Sequence, residues 1–449
     1  MDLYNKKVLV VGTGISGVGA ATLLEKAGAV VILYDANEKL LAKDIYEKLP
    51  KDTSIEVRIG EPVYDAQLLV ISPGVPVDSE LVLEYKNKNV PVWGEIELAY
   101  NFEKGKVIAI TGTNGKTTTT TLVGEIMKAY RDKTFVVGNI GNPYTNEVLN
   151  TSSDSYTVAE ISSFQLETIH KFAPAISAIL NITPDHLNRH KTMENYVAVK
   201  ESICSNQSSD SVCVVNYDDE YLKDFTPDNC KVVHFSRKIK PQVGAYMNGD
   251  VIMYTDGKQD ISIVNVHDMQ IIGTHNYENV MAAVAITINM GVPVDIIIDT
   301  ILGFKGVEHR IEYVNTINGV TYYNDSKGTN PDASIKAIEA MTKPTVLIAG
   351  GYDKKSEFDD FILAFNGKIK KLVLLGVTKE KIADTAKKYG FKDYVFANDL
   401  KEAVDLCFEC AVNGDAVLLS PACASWDMFT GYEQRGRLFK EYVNMHGNV

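Results

Sequence analysis

The fold of this chain is decided by the stretch Ala109-Ile110-Thr111-Gly112-Thr113-Asn114-Gly115-Lys116-Thr117-Thr118-Thr119-Thr120. An apolar run, Lys106–Ile110, leads into it, and a pattern with helical spacing follows from about Thr118 to Tyr130. In a strand, turn and helix of this kind, Gly112 and Gly115 let backbone N–H groups approach phosphate oxygens at the positive end of a helix. The stretch therefore predicts a binding site for ATP or another nucleoside triphosphate.

The side chains of this loop have distinct predicted roles. Lys116 can reach the β- and γ-phosphates, and the hydroxyl of Thr117 can ligate Mg²⁺. The common P-loop pattern requires glycine at position 110, where this chain has isoleucine, so the motif is a shorter Gly-Thr-Asn-Gly-Lys-Thr loop. A glycine-rich turn with a lysine by chance is the weaker alternative, because strand, turn, lysine and helix all fall in register. The predicted ATP contacts of the loop are Gly112, Thr113, Asn114, Gly115, Lys116, Thr117 and Thr118.

Length and composition bound the organisation of the chain. Its 449 residues are too many for one hydrophobic core. Apolar strands alternate with amphipathic helices, which predicts an α/β protein of three domains, 1–94, 95–304 and 305–449. We expect a Rossmann-like first domain, a central P-loop ATPase-like doubly wound sheet and a Rossmann-like third domain.

Charge and hydropathy limit the partners. The net charge of −13 argues against nonspecific nucleic-acid binding. The sequence opens on a strand pattern without a signal-peptide layout, and no apolar run reaches the ~18–20 residues of a membrane span. We therefore expect a cytoplasmic protein without a membrane partner. Cys407 and Cys410 share a helix face with alanines, which favours packing over a redox or zinc role.

A second glycine motif lies near the start of the chain. Gly12, Gly14 and Gly17 follow the strand Lys7–Val11 in a G-x-G-x-x-G pattern, and Asp35 ends the next strand. The pattern matches the fingerprint for NAD or FAD. A nucleotide-sugar diphosphate fits the same turn equally well, because any diphosphate can sit at a helix N-terminus. A tight turn without a ligand is the third reading.

Two strand ends beside the ATP loop carry candidate metal ligands. Glu160 ends the run Tyr156–Glu160, where a carboxylate can hold Mg²⁺, although an acid capping the helix near Ser162 is the alternative. His186 follows the strand 175–180, and we expect the intervening Thr183-Pro184 to begin a helix. A zinc pair with His190 is disfavoured because Leu187 stands where zinc proteases need glutamate, whereas His186 alone could bind a second Mg²⁺.

Other polar positions are ambiguous from their own neighbourhoods. A helical lysine such as Lys200 is usually solvated, and Arg310 is equally undecided. Two dense polar clusters, 323–331 and 420–427, each follow an apolar strand. In the first, Asp325, Lys327 and Thr329 could contact nucleotide, metal or substrate carboxylates. The small residues of the second permit close approach of a ligand, and a structural loop is the alternative for each cluster.

Several motifs together resemble the Mur ligase family, ATP-dependent amide-bond ligases of peptidoglycan synthesis. They are Gly112-Thr-Asn-Gly-Lys-Thr-Thr118, Glu160-Ile-Ser-Ser-Phe-Gln-Leu166, Asn181-Ile-Thr-Pro-Asp-His186, His275-Asn276-x-x-Asn279, Asn324-Asp-Ser-Lys-Gly-Thr-Asn330 and Ser420-Pro-Ala-Cys-Ala-Ser-Trp-Asp427. The resemblance covers the whole chain. It implies a UDP-sugar domain, an ATP and Mg²⁺ domain, and a domain for the incoming amino acid.

The resemblance also implies roles for particular residues. The implied substrates are UDP-N-acetylmuramoyl-L-alanine, D-glutamate and ATP, with two Mg²⁺ ions and a monomeric enzyme. The implied UDP-sugar contacts are Gly14, Ile15, Ser16, Asp35, Gly74 and Asn139. The implied metal ligands are Thr117, Glu160, His186 and Lys200, the last as a CO₂-modified carbamate. The implied catalytic residues are Lys116, Lys200 and His186, with further ATP contacts at Asn279, Arg310 and Asp325. The implied D-glutamate contacts are Lys327, Thr329, Lys354, Ser425 and Tyr432.

Two positions depart from some members of the family, and three other functions stay open. Asn37 stands where a basic side chain can occur, and Tyr432 where an apolar aromatic can occur.

A sibling muropeptide or folylpolyglutamate-type ligase is the nearest alternative function. An NAD-dependent oxidoreductase would explain Gly12–Gly17 but not the ATP loop, and a noncatalytic nucleotide-binding regulator would bind ATP without consuming it.

Overall fold

A computed structural model describes residues 3–354 and 356–447 of the chain. It divides into two compact units. The first comprises Met1–Val264 and Glu278–Ile301, and the second comprises Asn265–Tyr277 and Leu302–Val449. Within the described ranges, no helix has both the length and the apolarity to cross a bilayer.

The first sheet has five parallel strands in the order β3-β2-β1-β4-β5. Its strands are β1 (Lys7–Val11), β2 (Val30–Asp35), β3 (Glu56–Ile59), β4 (Leu68–Ile71) and β5 (Val92–Gly94). Its helices are α1 (Ile15–Lys26), α2 (Ala42–Tyr46), α3 (Glu80–Asn87) and α4 (Glu95–Tyr100). The apolar strand residues are buried on both faces, as expected when helices cover a parallel sheet. The Rossmann-like prediction for this segment is confirmed.

The second sheet has nine strands in the order β14-β13-β12-β11-β10-β9-β6-β8-β7. Its strands are β6 (Lys106–Thr111), β7 (Thr134–Gly138), β8 (Tyr156–Glu160), β9 (Ile176–Ile179), β10 (Val212–Asn216), β11 (Lys231–Ser236), β12 (Gly244–Asn248), β13 (Val251–Thr255) and β14 (Asp260–Asn265). The helices of this segment are α5 (Lys116–Tyr130), α6 (Tyr144–Glu147), α7 (Ser163–Leu166), α8 (Leu187–His190), α9 (Met193–Glu201), α10 (Thr274–Asn289) and α11 (Val294–Gly303). Strand β6 lies between β8 and β9, so the loops after these three parallel strands leave from one edge. Ligands of open α/β sheets bind at this edge.

The third sheet lies in the second unit and has the order β15-β16-β20-β17-β18-β19. Its strands are β15 (Glu312–Ile317), β16 (Val320–Asn324), β17 (Thr345–Ala349), β18 (Ile369–Leu374), β19 (Tyr394–Phe396) and β20 (Ala416–Leu419). Its helices are α12 (Pro331–Ala340), α13 (Asp359–Leu363), α14 (Lys379–Lys388), α15 (Leu400–Cys410) and α16 (Tyr432–Gly447). Strands β15 and β16 pair antiparallel, and the pairs β16–β20, β20–β17, β17–β18 and β18–β19 are parallel. Cys407 is buried and Cys410 partly buried in the core on one face, which agrees with the packing role expected for them.

The predicted α/β class with three sheets is confirmed. The predicted domain boundaries at residues 94 and 304 stay predictions.

Candidate active site

The phosphate loop begins its helix two residues earlier than the sequence pattern indicated, at Lys116 rather than Thr118. Gly115 is the N-cap and has a left-handed backbone, φ +82°. A Cβ there would lie 2.3 Å from Oδ1 of Asn279, so only glycine fits. The same amide oxygen of Asn279 accepts a hydrogen bond of 3.3 Å from the hydroxyl of Thr119. Asn279, one of the predicted ATP contacts, therefore packs directly beneath the loop.

A second segment fixes the loop from the side. The N–H of Thr113 donates to the carbonyl of Asn181 at 2.9 Å, and the N–H of Asn114 donates to the side-chain oxygen of Asn181 at 2.8 Å. The N–H of Thr183 donates to the hydroxyl of Thr113 at 3.0 Å. The prediction that Thr183 and Pro184 begin a helix is wrong. The backbone of Thr183 is bound to the loop, and the helix begins only after His186, its N-cap.

Two lysines converge on one carbonyl oxygen of the loop. The ammonium groups of Lys116 and Lys200 each donate to the oxygen of Gly112 at 2.8 Å, and Lys116 also donates to Thr113 at 2.9 Å. Lys200 is 1% exposed, so the reading of this residue as a solvated lysine is wrong. Burial, followed by the positive charge of Lys116, lowers the pKa of Lys200 to about 7. Lys200 is therefore partly neutral near pH 7 and can act as a nucleophile toward CO₂.

The two carboxylate oxygens of Glu160 differ in their hydrogen bonding. Its Oε1 accepts a hydrogen bond of 2.8 Å from the amide of Asn139. Its Oε2 is buried and has no hydrogen-bond partner among the residues that the structure describes. Glu160 does not cap the next helix, because Ser162 and Gln165 form a capping box there. A buried, unpartnered carboxylate oxygen at a strand end is a suitable ligand for a hard cation.

Gly112, Lys116 and Lys200 line a cavity of about 150 Å³, and Asn139, the partner of Glu160, lines it as well. Its lining residues are Pro73, Gly112, Lys116, Asn139, Ser162, Ser163, Phe164, Asp185, His186, Tyr196 and Lys200. The ring of His186 is half-exposed, lies 3.5 Å from a carboxylate oxygen of Asp185 and packs 4.9 Å from the ring of Phe164. Across the described ranges, no three His, Cys, Asp or Glu side chains form a metal-binding group. A cation here would therefore need phosphate oxygens, the Thr117 hydroxyl or a modified Lys200 as additional ligands.

Sequence reasoning missed Tyr196. Its hydroxyl shares a hydrogen bond of 3.1 Å with the hydroxyl of Thr113, and its ring lies 4.8 Å from the ammonium nitrogen of Lys200. Tyr196 and Lys200 are four residues apart on α9, so they share a helix face. That spacing was the available signal, because a helix face that carries both an aromatic residue and a lysine can be buried as a unit.

The first glycine loop is held mostly by its own backbone and by Asp35. The carboxylate of Asp35 accepts from the N–H of Thr13 at 3.1 Å and from its hydroxyl at 2.8 Å. A Cβ on Gly17 would lie 1.8 Å from the carbonyl oxygen of Gly12, whereas a Cβ on Gly14 would meet no atom within 4 Å. Gly17 is thus required by the turn itself, and the space at Gly14 is open for a ligand.

The neighbours of that loop differ in exposure. Ile15 is 70% exposed, Gly14 and Gly74 are exposed, and Ser16 is half-buried. The side chain of Asn37 accepts a hydrogen bond from the backbone of Lys39. These exposed positions remain the predicted UDP-sugar contacts.

The predicted residues of the second unit lie in two groups. In the first, Asp325 is buried and accepts a hydrogen bond of 2.6 Å from the hydroxyl of Ser420, and burial raises its pKa to about 7. The ammonium of Lys327 lies 5.3 Å from the ring centre of Tyr432, and Arg310 is exposed.

In the second group, the ammonium of Lys354 lies 4.9 Å from the ring centre of Trp426. Ser425, which precedes Trp426 in the chain, is buried. Thr329 is half-buried, and its backbone N–H donates to the carbonyl of Lys327 in the first group. Cation–aromatic contacts of this kind hold lysines at a surface while leaving their charge available to an anion.

Comparison with known proteins decides the family. Three family models match the chain: "Mur ligase MurD-like, N-terminal domain" over residues 6–94, "Mur ligase middle domain" over 110–287 and "Mur ligase, glutamate ligase domain" over 309–423. A curated UDP-N-acetylmuramoylalanine–D-glutamate ligase of Lachnospira eligens is 64% identical and covers 99% of this chain and 100% of the relative. The chain belongs to the Mur ligase family.

Two further comparisons extend this result. The ligase of the same name from Lachnoclostridium phytofermentans is 55% identical, with 99% of each chain covered. Among solved structures, the UDP-N-acetylmuramate–alanine ligase of Thermotoga maritima aligns with a TM-score of 0.60 over 98% of this chain and 100% of that chain, at 19% identity. At this low identity, the match with the Thermotoga maritima structure shows similarity of fold only. The Thermotoga maritima ligase therefore has a fold similar to that of this chain.

Proposed function

We propose that this chain is an ATP-dependent ligase that adds D-glutamate to UDP-N-acetylmuramoyl-L-alanine and yields ADP and phosphate. The observation that carries the proposal is the cavity at the phosphate loop, which Lys116 and Lys200 line, with the unpartnered carboxylate oxygen of Glu160 in the same compact unit. The full-length identity to ligases of that name supports the choice of substrates.

The reaction requires an activated carboxylate, because a free carboxylate resists attack by an amine. The alanine carboxylate attacks the γ-phosphorus of ATP and gives an acyl phosphate and ADP. The amine of D-glutamate then attacks the acyl carbon, and phosphate leaves. The ammonium of Lys116 stabilises the negative charge of the β- and γ-phosphates during transfer. We also assign His186 a catalytic role, because its side chain lines the same cavity as Lys116.

The residues present fit magnesium. The open oxygen of Glu160, the hydroxyl of Thr117, the ring of His186 and a carbamate on Lys200 would hold it. When bound, Mg²⁺ would neutralise phosphate charge and orient the phosphate oxygens. The remaining assignments are ATP contacts at Gly112–Thr118, Asn279, Arg310 and Asp325.

Lys200 suits a carbamate for two reasons. Its lowered pKa, about 7, provides the neutral amine that attacks CO₂. The product carries a negative charge, which the nearby ammonium of Lys116 stabilises. Carbamylation therefore converts two repelling cations into an attracting pair.

We assign the UDP-sugar to the first glycine loop and D-glutamate to the second unit. The diphosphate of the UDP-sugar would bind at the open space of Gly14, with Ile15, Ser16, Asp35, Gly74 and Asn139 around it. In the second unit, the carboxylates of D-glutamate would bind Lys327, Thr329, Lys354, Ser425 and Tyr432. Residues 1–94, 95–304 and 305–449 would be the UDP-sugar, ATP and amino-acid domains.

The decisive experiment measures phosphate release from ATP and Mg²⁺ with UDP-N-acetylmuramoyl-L-alanine. Three parallel reactions contain D-glutamate, L-glutamate or no amino acid. We expect release only with D-glutamate, together with a product heavier by one glutamyl residue. Release that needs a different amino acid, or a different acceptor, would redirect the assignment to a sibling muropeptide or folylpolyglutamate-type ligase.

A further inference from the structure

Ser163 lies on the wall of the phosphate cavity, and a histidine outside the cavity lining holds it. Ser163 is the first residue of α7 and is 4% exposed. Its hydroxyl oxygen lies 3.0 Å from Nε2 of His190, which is also 4% exposed. Because Ser162 provides the cap of α7, the hydroxyl of Ser163 is not used for capping.

The imidazole of His190 is held in one orientation. Its Nδ1 lies 3.5 Å from Oε1 of Glu167. The rings of Phe164 and Tyr196 flank it, with centroids at 5.6 and 5.1 Å. Rotation of the imidazole would break the contacts with both Ser163 and Glu167.

Glu167 is itself anchored. The guanidinium of Arg189 donates to both of its carboxylate oxygens, with Nε 3.0 Å from Oε2. Arg189 also donates to the carbonyl of Val75 at 2.9 Å, and its side chain is only 13% exposed. The chain Arg189, Glu167, His190 and Ser163 therefore runs from a fixed backbone carbonyl to the cavity wall.

The order of these groups sets the direction of the hydrogen bond between His190 and Ser163. A carboxylate beside Nδ1 favours the tautomer with the proton on Nδ1, as in other pairs of carboxylate and histidine. Nε2 then carries a lone pair and accepts the hydroxyl proton of Ser163. A serine hydroxyl has one proton and two lone pairs, so the oxygen of Ser163 keeps its acceptor capacity for a ligand.

We propose that His190 is a positioning residue that fixes the Ser163 hydroxyl as a hydrogen-bond acceptor for an N–H or O–H group of the UDP-sugar substrate. The inference rests on the proposed function, because it concerns the same cavity. An acceptor at this place would not assist binding of ATP phosphates, which offer no proton at neutral pH. Asn139, a predicted UDP-sugar contact, lines the same cavity as Ser163, so we expect the effect on the sugar substrate.

Two variants of His190 separate its hydrogen bond to Ser163 from its contact with Glu167. In His190→Gln, the side-chain carbonyl can reach the position of Nε2 and accept from Ser163. In His190→Asn, the shorter amide reaches only the position of Nδ1, so the bond to Ser163 is lost. Ser163→Ala removes the acceptor itself, and the double variant Ser163→Ala with His190→Asn completes a thermodynamic cycle.

Steady-state kinetics read the cycle. We expect His190→Asn and Ser163→Ala each to raise the KM for the UDP-sugar about three- to tenfold, which corresponds to the loss of one neutral hydrogen bond. The kcat, the KM for ATP and the half-saturating Mg²⁺ concentration should change little. His190→Gln should retain the KM of the parent, and the double variant should equal Ser163→Ala. Independent, multiplying effects in the double variant would overturn the proposal, as would a change confined to ATP or Mg²⁺.

A second measurement does not depend on ligase activity. Nitrogen-15 histidine NMR of the full chain at pH 8, without substrates, should show His190 with its proton on Nδ1, and Ser163→Ala should shift only the Nε2 resonance of that ring. A proton on Nε2 would overturn the proposal even in an active ligase. If the parent chain released no phosphate with D-glutamate, the proposed function would fail, while this measurement would still decide how His190 and Ser163 are paired.

Discussion

The ammonium nitrogen of Lys200 lies 2.8 Å from the carbonyl oxygen of Gly112, the same oxygen that accepts a 2.8 Å hydrogen bond from Lys116. The two lysines come from different helices, α9 and α5, and α9 follows the loop by about 80 residues of chain. Two cations that share one acceptor repel each other, and an anion beside them relieves that repulsion. We therefore expect this site to favour phosphate and a negatively charged modification of Lys200.

Replacement of Lys116 by alanine should abolish most phosphoryl transfer. The ammonium stabilises charge that develops on the phosphate oxygens, and the loss of one such group costs about 10²–10³ in kcat. Phosphate release in the D-glutamate reaction measures the change. Lys128→Ala is the matched control, because Lys128 is exposed near the end of the same helix. Ligase turnover retained in Lys116→Ala would refute the role assigned to this lysine.

Glu160→Gln should weaken the binding of Mg²⁺ to the enzyme. Glutamine keeps the size of the side chain and can still bond Asn139, but it removes the charge at the open carboxylate oxygen. We expect the half-saturating Mg²⁺ concentration to rise by at least about tenfold, because anionic oxygen is the preferred ligand of this ion. Glu125→Gln on α5 serves as control. An unchanged Mg²⁺ titration would remove Glu160 from the metal site.

The lowered pKa of Lys200 should appear in the pH dependence of stability. Between pH 7 and 10.5, the unfolded chain keeps a proton on this lysine that the folded chain has released. The free energy of unfolding should therefore rise with pH across this window, relative to Lys200→Met, by at most about 1.4 kcal/mol per pH unit. As pH falls from 10.5 to 7, this stabilisation is progressively lost, and little of it remains below pH 7.

Tryptophan fluorescence can measure this difference in the first unit. The chain has two tryptophans, Trp93 in β5 and Trp426. Urea unfolding in CO₂-free buffer, followed at Trp93 in a Trp426→Phe background, isolates the unit that contains Lys200. A difference between the parent and Lys200→Met that stays flat from pH 7 to 10 would contradict the buried, neutral amine.

Bicarbonate should control activity through Lys200. We expect enzyme prepared without CO₂ to be less active and to recover when bicarbonate is added. Carbon-13 bicarbonate should give a carbamate NMR signal that is absent from Lys200→Met. We expect no carbamate on Lys116, because this lysine is only half-buried and its role requires a positive charge. A carbamate signal that persists in Lys200→Met would place the modification elsewhere.

The parts of the fold that the sequence predicted are those with local causes. The bounds of Lys7–Val11 and Tyr156–Glu160 were predicted residue by residue, because each is a short, largely apolar run that leads into a turn. The predicted start at Thr183 failed because its backbone N–H is bound by Thr113, 70 residues earlier in the chain. A local sequence pattern cannot predict a contact between segments so far apart in the chain.

The candidate site divides in the same way. The loop around Lys116 was predictable because all its phosphate-binding features lie within one short segment. The burial of Lys200 and its contact with Gly112 depend on how α9 packs, so the residue alone indicated a solvated lysine. The pairing of Ser163 with His190 joins positions 27 residues apart, and neither residue type predicts the other.

Gly14→Ala should separate ligand binding from folding in the first glycine loop. Gly14 has an ordinary extended backbone, φ −73° and ψ −176°, and an added Cβ meets no atom within 4 Å. The variant should therefore fold normally, but its methyl group would occupy the approach of the UDP diphosphate and weaken binding by at least about tenfold. Gly17→Ala provides the contrast, because its Cβ would collide with the carbonyl of Gly12 and disrupt the turn itself. Calorimetric titration of folded Gly14→Ala with UDP-N-acetylmuramoyl-L-alanine measures the effect, and an unchanged affinity would place the diphosphate away from this loop.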